Sequence, residues 1–220
     1  MTDASPSYPP APWTMHGRGV FVPHWVPARS FELPDGLEPV SVAGRCQGLL
    51  GYVVYEEPSA LRYHELIWMP SLVRFRGKQR THRGYFVAVM YVDDETTLRA
   101  GREIWGLPKT LARFQEGPRG VTVEAEDGSR VELRYRMAPV AAKVGGRLAT
   151  LQHAAGGATL FRAKMRSRAT GCIAKVTHFQ QGSGAAAAGW AGFEGSRALP
   201  LGVGIRRFES HMAAPVALER

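Results

Sequence analysis

The run Asp93–Phe114, DDETTLRAGREIWGLPKTLARF, holds one lysine, Lys109, set directly after Pro108 and among Leu107, Leu111 and Phe114. Lysine is scarce in this chain: of its 28 Lys+Arg residues, only those at 78, 109, 143, 164 and 175 are lysines. A lysine on a stiff, apolar element has chemistry that a solvated one lacks. Only the deprotonated amine adds to a carbonyl carbon, and the iminium so formed draws electrons from the adjacent C–C or C–H bond. An ordinary lysine, with a pKa of about 10.4, is neutral to the extent of about 0.04% at pH 7; bringing the pKa to about 7–8 by burial or a nearby cation raises that share by two to three orders of magnitude. On these local features alone, a lysine that snorkels from a turn fits the residues better.

Other chemistries find less support. The seven histidines, at 16, 24, 64, 82, 153, 178 and 211, show no HxxxH or HxH spacing, so no metal site is expected. Two cysteines, Cys46 and Cys172, make neither a disulfide framework nor a Cys-rich zinc site, and a reducing, cytoplasmic setting is expected. The glycines of Gly182–Gly195 match no phosphate-loop pattern. The longest nearly apolar run, Tyr85–Val92, falls well short of the roughly 20 residues of a membrane helix, and Met1–Pro12 has no charged-then-apolar signal pattern. A net charge of +9 invites a nucleic-acid reading. The basic run Arg74–Arg83 could capture an anionic substrate or be a solvated hairpin loop, and with Phe75 its only aromatic it suits nucleic acid poorly.

The elements that must position Lys109 are mostly strands. Strand-type segments read as Gly19–Val26, Gly48–Tyr55, Arg62–Met69, Tyr85–Tyr91, Gly120–Glu126, Arg130–Met137, Ala158–Lys164, Gly171–Phe179 and Val203–His211, with Asp127-Gly128 as a two-residue hairpin turn. One helix is expected at Glu95–Trp105, capped by Asp93 or Asp94 and stopped by Gly106 and Pro108. Gln180–Gly195 reads as a short helix or an ordered loop. Residues 1–12 read as a flexible lead and 13–220 as one domain of the mainly β (α+β) class, with a strongly curved or closed antiparallel sheet and few helices.

Gly101-Arg102-Glu103 followed by Pro108-Lys109, preceded by Gly84-Tyr85 and Tyr91-Val92-Asp93, resembles the acetoacetate decarboxylase family. Trp13–Arg18 is similar to that family's opening strand and Tyr63–Ile67 to the strand carrying an inward glutamate. The resemblance covers about Trp13–Phe114 well and the later strands in outline. It implies a lyase in which Lys109 is the Schiff-base nucleophile. Arg18 would bind the substrate carboxylate and help keep Lys109 neutral, Glu65 would handle protons or orient water, and His16, on the face of Arg18, could assist substrate binding. The sequence departs from the family in having Thr110 where a second lysine is usual, and in having no Asp or Glu between Leu66 and Val92, where the family carries a loop with a catalytic glutamate.

The expected function is therefore iminium chemistry on a small keto acid or related carbonyl compound: decarboxylation, aldol condensation or dehydration. No cofactor and no metal are called for, nor a membrane or nucleic-acid partner, and the resemblance implies a homo-oligomer. The competing readings are a non-catalytic small-ligand binder of the same fold and a basic nucleic-acid-binding module.

Overall fold

In the first strand, buried Trp13, Met15 and Gly17 alternate with more open Thr14, His16 and Arg18, the two-residue period that a sheet with two distinct faces imposes. The computed structural model describes residues 8–77, 81–154 and 157–219. In chain order the strands are β1 (Trp13–Pro27), β2 (Leu37–Pro39), β3 (Ser41–Val42), β4 (Arg45–Glu56), β5 (Tyr63–Met69), β6 (Ser71–Arg76), β7 (Thr81–Phe86) and β8 (Val89–Val92). The helix α1 (Glu95–Trp105) comes next, then β9 (Lys109–Gly117), β10 (Gly120–Ala125), β11 (Arg130–Met137), β12 (Ala142–Ala154) and β13 (Gly157–Gln180). A short α2 (Gly184–Ala188), β14 (Arg197–Ala198), β15 (Gly202–Met212) and β16 (Val216–Ala217) complete the described chain. None of its helices is long and apolar enough to cross a membrane.

One sheet joins these strands, and the pairing of β11 with β13 closes part of it into a ring that runs β11-β10-β9-β8-β5-β4-β1-β15-β13. The remaining strands β12, β7, β6 and β2 continue from β13 as a branch. Neighbours are antiparallel except β8 with β9 and β7 with β12. The mainly β, strongly curved and closed sheet is thus as expected. β13 makes it possible: its first half pairs with β12 and its second half with β11, so one long strand belongs to both parts.

Each face of the ring has its own core. Inside lie Val20, Tyr52, Leu66, Tyr91, Val123 and Leu133, with Trp190 and Phe193 entering from the segment after α2. Outside, between the ring and the branch, lie Trp13, Met15, Val53, Trp105, Phe161 and Phe208. Residue parity decides which core a side chain joins, and the unbroken β1–β4 register from His16 to Pro27 keeps that parity in step.

The helix is where the sequence places it, capped by Asp94, whose carboxylate accepts from the Thr97 amide at 2.8 Å, and ended by Gly106 in the left-handed region. The Asp127-Gly128 turn is a hairpin whose loop has three residues, Glu126–Gly128, because Gly128 (φ 85°) donates to Ala125 and the strands close at Ala125 and Ser129. Tyr85–Tyr91 is two strands, since the chain leaves the branch at Phe86 and enters the ring at Val89. The segments expected at Ala158–Lys164 and Gly171–Phe179 are parts of the one strand β13. Residues 8–12, expected within a flexible lead, pack onto the outer core: Tyr8 bonds to Glu103, and Trp13 Nε1 donates to the Pro9 carbonyl at 2.8 Å.

The inner core is pinned by a polar chain in which Trp190 Nε1 donates to Tyr91 OH (2.8 Å) and Tyr91 OH donates to Asp127 (2.7 Å). Tyr91→Phe leaves the buried indole N–H without its acceptor, so a loss of about 1–3 kcal/mol is expected, read as a lower urea midpoint at unchanged slope.

Candidate functional site

Lys109 is the first residue of β9, and what precedes it fixes its direction. The helix ends at Trp105, Leu107 N–H donates to the Gly101 carbonyl (3.0 Å), and Lys109 N–H donates to the Leu107 carbonyl (2.8 Å). Arg102 then reaches from the last turn, its Nε donating to the Lys109 carbonyl at 2.8 Å. The side chain runs across the helix at Gly101, where a Cβ would stand 2.5 and 2.6 Å from Lys109 Cδ and Cε. The Gly-Arg-Glu motif acquires a physical reason here: glycine opens the path of the lysine stem, and arginine anchors the lysine backbone. Glu103 faces elsewhere and meets Tyr8.

The amine ends in a buried cavity of about 130 Å³ between the ring's outer face, α1 and the branch. Lys109 is 2% and Glu65 5% exposed. Lys109 Nζ donates to Thr97 Oγ1 at 2.7 Å, lies 3.4 Å from Tyr63 OH and 4.5 Å from the Tyr63 ring centroid, and is 3.8 Å from Glu65 Oε2. The hydroxyls of Tyr55 and Tyr63 each donate to the Glu65 carboxylate at 3.4 Å. Apolar groups make most of the wall, among them Trp13, Phe21, Met90, Trp105, Phe161 and Phe208.

Burial pushes the Lys109 pKa down from 10.5 to about 8, with Glu65 and Asp94 pulling the other way. The same burial raises Glu65, against the opposing pull of Lys109 and the tyrosine hydroxyls. The two proton affinities are brought toward each other, so that a proton passes between ammonium and carboxylate more readily than it would in water. Roughly 10% of Lys109 is then neutral at pH 7, a few hundred times the share of a solvated lysine.

Arg18 and His16 are not part of this cavity. Both have the opposite parity to Trp13 and Phe21 on β1, which turns them to the ring's inner side. There Arg18 forms a two-pronged pair with Glu116 (2.7 and 2.8 Å) and a contact with Glu56 (2.9 Å). The expectation that Arg18 holds a substrate carboxylate and lowers the Lys109 pKa is corrected accordingly, since desolvation does the lowering and Arg18 is absent from its causes. The same correction applies to His16 as a substrate-binding residue. Thr110, next to Lys109 on the strand, also points to the inner face, opposite Tyr91, so a lysine there would lie across the sheet from Lys109.

None of the described residues of the basic run lines the cavity. Its described part belongs to β6 and β7 on the branch, where Arg74 and Arg76 pair with Glu38 and Phe75 is buried beside Val73 and Leu151; residues 78–80 lie outside the described residues. Among the described residues no group of His, Cys, Asp or Glu is placed to hold a metal ion. Three site residues escaped sequence reasoning. Tyr63 shares a strand face with Glu65, a spacing of two that would have revealed it, and Tyr55 pairs with Tyr63 across β4 and β5. Thr97 carries no signal beyond its place in the first turn of α1.

The family model described as "Acetoacetate decarboxylase (ADC)" matches residues 4–187. The chain belongs to the acetoacetate decarboxylase family. Among curated relatives, acetoacetate decarboxylase 1 of Bradyrhizobium diazoefficiens is 31% identical over 116 residues, which is 50% of this chain and 42% of the relative. The acetoacetate decarboxylase of Ralstonia nicotianae is 32% identical over 117 residues, 49% of this chain and 42% of that one. The matches therefore span less than half of these relatives' length. Among solved structures, an acetoacetate decarboxylase-like enzyme from Sphingomonas wittichii RW1 aligns with a TM-score of 0.62 at 16% identity over 100% of this chain and 99% of that one. The enduracididine biosynthesis enzyme MppR, complexed with pyruvate, aligns at 0.58 and 16% identity over 96% and 91%. At such identity the likeness shows the family's fold.

Two outcomes follow from the buried amine. Unfolded, Lys109 keeps its proton to about pH 10.5, whereas folded it releases it near 8. Between these values the unfolded chain binds more protons, so stability rises with pH and the penalty is fully present below 8. Lys109→Met is expected to stabilise the fold by about 2–3 kcal/mol at pH 7, the gain shrinking toward zero above pH 10.5, as read by urea denaturation across pH. Gly101→Ala improves helix propensity yet fills the path of the lysine stem. Overpacking is expected to outweigh the propensity gain, lowering Tm, and to slow carbonyl labelling of Lys109 at least tenfold.

Proposed function

We propose that this chain is a Schiff-base-forming lyase of the acetoacetate decarboxylase type, acting on a small carbonyl compound through an iminium on Lys109. The observation that carries the reading is the buried amine beside a buried carboxylate: Lys109 Nζ, with its lowered pKa, stands 3.8 Å from Glu65 in a largely apolar cavity. The homo-oligomer implied by the resemblance, and the cytoplasmic setting expected from the two cysteines, belong to the same reading.

The neutral amine attacks the carbonyl carbon, and proton transfers through Glu65 let the carbinolamine lose water to give the iminium. The iminium then accepts the electron pair of a neighbouring bond. If that bond is C–H, Glu65 takes the proton and an enamine remains; if it is C–COO⁻, carbon dioxide departs and the same enamine takes its proton from Glu65. Hydrolysis of the iminium returns the amine. Decarboxylation, aldol condensation and dehydration share these opening steps. Glu65 is the sole carboxylate among the described residues lining the cavity, so weak or absent acetoacetate decarboxylation beside retained iminium chemistry is the expected pattern.

Sodium cyanoborohydride with a simple methyl ketone, followed by mass mapping, tests the proposal. Lys109 is expected to carry the adduct while Lys143, Lys164 and Lys175, all exposed, do not, and labelling should rise with pH to a plateau above about 8. Glu65→Gln should still form the adduct yet lose exchange of α-hydrogens with D₂O by a factor of about 10²–10⁴. Labelling spread evenly over the lysines, or full exchange in Glu65→Gln, would overturn the assignment.

A further inference from the structure

Among the described residues lining the cavity, Lys109 is the only cation and Glu65 the only anion. The other polar side chains there are the neutral Tyr55, Tyr63, Thr150 and Ser210. Arg18, the arginine that the resemblance assigns to a substrate carboxylate, lies on the opposite side of the sheet and is occupied by Glu116 and Glu56. A keto acid entering this cavity would bring its carboxylate toward Glu65 with Lys109 as its sole counter-charge, and Lys109 must give up its charge to react. Leaving water costs a carboxylate several kcal/mol unless charge and hydrogen bonds meet it. The wall offers the opposite: Phe161, Phe208, Ile67 and Met90 line the site, and Met165 and Met212 supply side chains that adapt to an apolar guest. The size is also informative, because an apolar protein cavity of roughly 150 Å³ takes up benzene, and this one measures about 130 Å³.

We infer that the carbonyl compound bound at Lys109 is uncharged, a ketone or aldehyde whose substituent is apolar and about the size of a branched alkyl group or a small ring. The inference rests on the Schiff-base reading above and narrows its substrate class. The chemistry balances without a further reactant: the Lys109 amine and the ketone give an iminium and water, Glu65 takes an α-proton to leave an enamine, and in D₂O the return step delivers deuterium to that carbon. Selection is then made by desolvation. The apolar substituent gains by leaving water, at about 25 cal/mol per Å², while a carboxylate in the same place loses.

Isosteric pairs test it. In 5-methylhexan-2-one an isopropyl group replaces the carboxylate of 4-oxopentanoate, with the ketone left alike in both. Full-length protein at pH 8 is titrated with each in the presence of sodium cyanoborohydride, and the Lys109 peptide is read by mass. Half-maximal labelling is expected at a concentration at least tenfold lower for 5-methylhexan-2-one. α-Deuterium incorporation into unreduced ketone should show the same order. Equal or better labelling by 4-oxopentanoate would overturn the substrate class while leaving the Schiff-base reading in place. Labelling of Lys109 by neither compound, nor by acetone, would overturn the Schiff-base reading and the substrate class together.

Discussion

A lysine amine that is 2% exposed sets the terms for everything around it. A charge in that position has lost its water, a cost that continuum and experimental treatments put at several kcal/mol per ion. Its compensation is thin: one hydroxyl at 2.7 Å, a second at 3.4 Å, one carboxylate at 3.8 Å and the face of one tyrosine ring. The amine is therefore poised toward losing its proton. A group so placed would turn to solvent if it could, and the surrounding structure prevents this. Gly101 admits the stem to a closed path, Arg102 holds the backbone carbonyl, and Trp105 ties the helix down by donating from Nε1 to the Ala213 carbonyl at 3.0 Å. The strain is electrostatic, held in place by packing on three sides.

The sheet wall adds a second constraint, because it sorts charged groups by parity. On β1, β5 and β9 each residue has neighbours in sequence that face the other way. Glu65 looks into the cavity, whereas His64 looks into the ring, where it pairs with Asp93 at 2.6 Å and stacks on Phe114. Asp93 also accepts from the His64 amide at 2.7 Å, which fastens β5 to the start of α1. The half-exposed inner mouth can thus hold Arg18, Glu116, His64 and Asp93 as mutually satisfied partners, while the outer cavity stays almost free of charge. The pKa of Lys109 is a product of this segregation. A cation on the inner face has the thickness of the sheet and its own carboxylates between it and the amine.

What could be read from the sequence, and what could not, follows the same division. The helix bounds and the hairpin at Asp127-Gly128 rest on local signals, a cap, a stop and a turn dipeptide, whereas Lys109 stands out by resemblance, because its apolar company alone fits a snorkelling lysine too. β12 left little trace because Gly145, Gly146 and exposed Lys143 and Arg147 give it no buried face over its first half. The middle of β13, MRSRAT, alternates cations with small residues on a largely exposed strand, so its continuity is enforced by β12 and β15 rather than by its own pattern. Arg18 shows the limit of resemblance. Matching residues transfers an identity, whereas the face to which it points depends on β1 parity along β4, a property of register that only pairing reveals.

Reactivity and selectivity in such a cavity are not independent. The apolar wall that favours an uncharged substituent is the same wall that keeps the Lys109 pKa near 8, since both effects come from the exclusion of water. Opening the mouth to admit a hydrated carboxylate would bring water to the amine, return its pKa toward the ordinary value and cut the neutral fraction on which the proposed attack depends. A separate arginine inside the cavity could escape this trade, because its charge would both hold the carboxylate and repel the proton on lysine. With Arg18 turned to the other face, this chain has no such arginine among the described lining residues, and desolvation carries both tasks.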